Sequence, residues 1–171
     1  MSEYLSVALN NFKSYKSLAD SAIKQLSIDE LFYQSSNDNN SIAIIMNHMI
    51  GNAKSRFTDF FTTDGEKPNR NRDSEFETES INPESLLQNW EDAWSIVFNL
   101  LESMDEKQLN ETVTIRSEKQ TALKAINRQV AHYAYHVGQI VFIAKSIKGD
   151  KWNTLSIAKG KSEEYNQKMK S

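Results

Sequence analysis

The chain contains three histidines and no cysteine. His132 and His136 stand four residues apart in a stretch, 121–147, that has no proline and a single glycine, Gly138. On a helix that spacing puts both imidazoles on one face, one turn apart, where they can meet the same ion. His48 lies far upstream on a separate apolar segment. Three neutral imidazoles would bind a divalent metal and leave positions open for an exogenous ligand, the arrangement of reactive zinc-type sites. Zinc, nickel, iron and cobalt all accept such ligands, so the residues alone do not select among them. The competing reading for any one histidine on an apolar face is a hydrogen-bonded structural residue. What favours a shared metal is that all three fall on amphipathic segments and none in the polar loops.

Apolar spacing at threes and fours predicts helices over 3–26, 42–62, 82–103 and 121–147. Ser41 suits an N-cap, and Asn82-Pro83-Glu84 combines a capping side chain, a proline at the first helical position and an acid in the first turn. Ser27 can open a further turn. The alternating, β-branched stretch 111–116 predicts a short extended segment or one arm of a hairpin. Residues 34–40 and 62–73 are polar connectors; periodicity cannot decide whether the second is an ordered loop or a solvated linker. A helical projection puts His48 on a flank with Asn52, Ser55 and Asp59, away from the apolar arc. His132 and His136 fall at the edge of their own arc, beside Arg128, Tyr135 and Gln139. Trp90, Trp94, Phe98 and Leu101 are spaced as core residues.

Several functions are excluded. The stretch 121–147 holds no Asp or Glu, so the Glu-x-x-His pattern of di-iron bundles is missing. Tyr133 stands where a His-Glu-x-x-His protease needs its glutamate. A formal charge of −3, without a basic stripe, argues against nucleic acid. The N-terminus lacks a basic-then-apolar leader, and the apolar runs 42–46 and 140–144 are too short to span a bilayer, so no membrane is expected and a cytoplasmic location is. The 171 residues are read as one domain, 1–171, large enough to fold without a structural metal.

The segment Asn47-His48-Met49-Ile50-Gly51-Asn52, the loop 62–73 and the stretch from Arg128 to Gln139 resemble the DinB/YfiT-like superfamily, in particular a bacterial branch of it, over nearly the whole chain. The resemblance implies an all-α four-helix bundle, often a homodimer, with a divalent metal held by His48, His132 and His136. Members include transferases that use low-molecular-weight thiols such as bacillithiol, and metal-dependent hydrolases. The expectation is therefore a thiol-dependent S-transferase acting on a small molecule, with zinc or nickel at the histidines and a thiol cosubstrate. The alternatives are a hydrolase, in which water replaces the thiol, and a non-enzymatic metal-binding helical dimer. Arg128 is the candidate clamp for an anionic ligand, Asp59 a candidate proton carrier for the hydrolase, and Tyr135 and Gln139 either support the ligands or pack.

Overall fold

Side-chain caps start the helices where the periodicity changes. In the computed structural model, which describes residues 2–169, helix α1 spans Glu3–Ile23 behind the Ser2 hydroxyl. Met1, Lys170 and Ser171, included in the single-domain reading, lie outside the described residues. Ser27 and Glu30 form a reciprocal capping box that opens the single turn α2, Ile28–Leu31. The first helix accordingly stops at Ile23, short of 26. Ser41 caps α3, Ile42–Phe57; Asn82 caps α4, Pro83–Ser103; Thr121 caps α5, Ala122–Lys148. A short α6, Ser162–Lys168, follows.

Helix α1 packs on α4 and α5, and α3 packs on the same two, which makes an all-α four-helix bundle. The buried apolar residues form one cluster. At its centre the Tyr133 ring lies edge-on to Phe12 at 5.2 Å and to Trp94 at 5.1 Å, a favoured aromatic geometry. Trp90 and Trp94 are core residues as their spacing predicts, and the Trp90 indole N–H donates to Asp20 Oδ1 at 2.9 Å. Among the described residues no helix is long and apolar enough to cross a membrane.

Two expectations change at the end of α3, and the hairpin alternative for 111–116 holds. Helix α3 ends at Phe57 rather than 62, because Thr58 turns extended and Asp59 adopts φ 48°, with its carbonyl accepting from the Thr62 and Thr63 amides. Asp59 is therefore off the helical face that carries His48, exposed on a turn, and is no proton carrier for that site. The extended stretch has a partner: β1, Thr112–Ile115, pairs antiparallel with β2, Glu118–Thr121.

The connector between α3 and α4 is ordered. Its Gly65 amide donates to Thr114 of β1 at 2.7 Å, and 3-10 turns at Asp73–Phe76 and Thr78–Ser80 follow, the first lying on α3. This roof explains why the polar flank of α3 does not face water: His48 and Asn52 are each 4% exposed and Ser55 is 2%.

Candidate metal centre

Helix α3 delivers one imidazole and α5 two, and their Nε2 atoms converge. Nε2 of His132 lies 2.9 Å from that of His136 and 3.3 Å from that of His48, and one ligand atom from each lies within 4.8 Å of the others. The opposite nitrogen of every ring is already committed. His48 Nδ1–H donates to Glu75 Oε2 at 2.8 Å, His136 Nδ1–H to Gln139 Oε1 at 2.8 Å, and His132 Nδ1–H to Gln129 Oε1 at 3.4 Å. A neutral ring that donates through Nδ1 carries a bare lone pair on Nε2. In that tautomer three lone pairs face one point, a repulsive arrangement that a cation relieves. Nitrogens about 2.1 Å from a shared ion would themselves sit about 3.4 Å apart, close to the His132–His48 separation of 3.3 Å and somewhat beyond the 2.9 Å between His132 and His136. The three histidines fit a metal ion, and the residues behind them are the orienting partners such ligands require.

Protons do not substitute for the ion at neutral pH. Burial, with the neighbouring His136 and His48 rings, pushes His132 down to about 3, and burial also lowers His136 against the opposing pull of Gln139.

The His48 side is the more elaborate. Glu75, 6% exposed, sits between His48 and Arg70, whose Nε and Nη2 donate to Oε1 and Oε2 at 2.6 and 2.8 Å. Burial would raise the Glu75 carboxyl, but the hydrogen bonds from His48 and Arg70 overcome it and hold the group below its ordinary range. The carboxylate reaches this position because Gly51, one turn beyond His48, has no side chain: a Cβ there would collide with Oε1. Phe76 stacks on the His48 ring at 4.8 Å and 30°.

The three histidines of the sequence reading thus come together. Gln139 supports His136 and also donates to the Tyr135 hydroxyl at 3.2 Å, and Arg128 lines a recess shared with His48 and His132. Sequence reasoning missed Glu75, Arg70 and Gln129. For Gln129 the signal was available, since it precedes His132 by three residues on one helix. For Glu75 the only clue was Gly51, the single glycine of helix α3.

Two openings flank the centre. The recess, about 180 Å³, is bounded by His48, His132, Asn52 and arginine side chains. A groove of about 920 Å³ begins at Gln139 and runs between Tyr33, Ile45, Phe142 and Ile143. The model of the family described as "Protein of unknown function (DUF1572)" matches residues 1–161, and the chain belongs to that family. No curated protein and no solved structure matches it.

Proposed function

We propose that this DUF1572 protein is a metal-dependent S-transferase of the DinB/YfiT-like superfamily, with His48, His132 and His136 holding zinc or nickel and a low-molecular-weight thiol as cosubstrate. The observation that carries the reading is the convergence of three imidazole nitrogens beside an opening. When bound, the metal acidifies a coordinated thiol and holds it as thiolate. The residues do the rest. Glu75, Gln129 and Gln139 fix the three rings with their lone pairs inward, and neutral imidazoles leave the ion's charge available to an anionic ligand. A thiolate held there would attack the electrophilic carbon of the second substrate: a carbon–sulfur bond would form, the leaving group would depart with its electron pair, and the thiol proton would go to solvent. The apolar side of the groove beyond Gln139 suits that electrophile.

A thiol is favoured over water because no carboxylate lines the recess among the described residues, and a thiol, far more acidic than water, gives up its proton to solvent without a base. The same reading takes the chain as a single cytoplasmic domain that forms a homodimer.

The test begins with metal analysis of untagged protein beside His132→Ala. The wild type should carry one divalent ion per chain and the variant should lose it; equal metal content in both overturns the site. A generic electrophile should be turned over only when a thiol is added. Turnover in water alone would make the protein a hydrolase.

A further inference from the structure

The recess beside His48 and His132 carries an unusual set of side chains. Five guanidinium groups, Arg56, Arg70, Arg72, Arg116 and Arg128, line about 180 Å³ of space. Two carboxylates answer them. Glu75 occupies Arg70, and Glu66 binds Arg56 and Arg116, each at 2.8 Å. The two held from below, Arg56 and Arg70, form a charged floor that is largely buried.

The remaining donors point to a ligand. Arg72 and Arg128 make no ion pair among the described residues. Arg72 is braced by its stack on Phe76, 5.0 Å from the ring centre, and Phe76 in turn lies on His48. Arg116 gives only Nε to Glu66, which leaves its terminal nitrogens unbound. These three come from separate elements: the connector, the tip of the β1–β2 hairpin and α5. Asn52, 4% exposed, lines the recess between them.

We infer that the recess is an oxyanion site: it seats a phosphate or carboxylate carried by the small molecule that reacts at the histidines, with Arg72, Arg116 and Arg128 as donors. Arginine forks match both oxyanions, each presenting paired acceptors. The inference deepens the reading above by naming the chemical class of one substrate.

Inorganic phosphate and succinate, titrated calorimetrically into the full chain after chelator treatment at fixed ionic strength, test it. Removing the metal keeps the anion from binding there instead. Arg128→Gln and Arg72→Gln should each weaken the bound anion by about tenfold, the loss expected for one charge-assisted contact. Lys145→Gln, an exposed change elsewhere on α5, should leave it unchanged. Whichever probe binds more tightly names the group. Equal affinity in wild type and both arginine variants, or an equal loss in Lys145→Gln, overturns the site. Metal content measured on the same proteins separates the two claims. Arginine-dependent binding by a chain that takes up no metal would leave the oxyanion site standing and remove the transferase.

Discussion

The two halves of the histidine cluster are built in opposite ways. His132 and His136 sit on one helix and take their support from it, through glutamines three residues away on the same α5. His48 takes its support from a carboxylate 27 residues further along the chain, itself pinned by a buried arginine and pressed against a glycine. The first half is neutral and follows from helical geometry alone. The second is charged and exists only when the connector has folded onto α3. The ligands on α5 should therefore tolerate loss of their partners, whereas the His48 side should behave as a unit.

The largest break in that comparison should come from Glu75→Ala. It leaves the buried Arg70 guanidinium with only its longer contact to Glu66, at 3.5 Å, at a cost of about 3–5 kcal/mol in urea unfolding of metal-free protein, and metal affinity should fall about 10–100-fold. Gly51→Ala comes next. Overpacking against the Glu75 carboxylate costs about 1–3 kcal/mol, and the helical gain of about 0.5–1 kcal/mol offsets only part of it. Gly138→Ala on α5 meets nothing within 4 Å, so the same change there should raise stability by about 0.5–1 kcal/mol. If both glycine variants move the same way, the close approach at Gly51 is not real. Gln139→Ala should weaken metal about tenfold yet leave unfolding within about 1 kcal/mol of wild type. A stability loss as large as that of Glu75→Ala would erase the distinction.

The smallest effect is in pH. His132, lowered from 6.5 to about 3, stays neutral in the fold while the unfolded chain takes up a proton. Metal-free stability should thus fall as pH drops from 6.5 towards 3. Glu66 is held at about 2: burial works against ionisation, but the Arg56 and Arg116 hydrogen bonds prevail, so its contribution disappears only as pH falls from 4.5 towards 2. His132→Ala should flatten the slope from pH 6.5 down to about 3 and leave the part of the acid limb that Glu66 contributes. Partial solvent exposure of both groups keeps these slopes modest. An unchanged upper slope would show that His132 is not held neutral.

The contrast also marks what could be read in the sequence. The four long helices, the caps Ser41 and Asn82, and the shared object of the three histidines were legible, because periodicity places the helices and α5 carries His132, His136, Gln129 and Gln139 at fixed angles. The flank position of His48 was legible too. Its burial was not, since a segment such as 62–80 has no period to betray where it lies. Glu75 looks like any acid in a polar connector until the backbone sets it against Gly51. The end of α3 was misjudged for the same reason: nothing in the apolar spacing announces the left-handed Asp59.

The Asp64 carboxylate accepts the backbone amides of both Arg116 and Ser117, at 2.8 and 2.7 Å. These two residues form the hairpin tip, with φ of 56° and 65°, where glycine or asparagine is usual. Folding has thus already frozen the turn that presents Arg116, so an incoming ligand does not have to order it and loses less entropy on arrival. The two amides, although at the exposed end of a hairpin, should exchange with deuterium far more slowly than open turn amides do, and Asp64→Ala should release both at once.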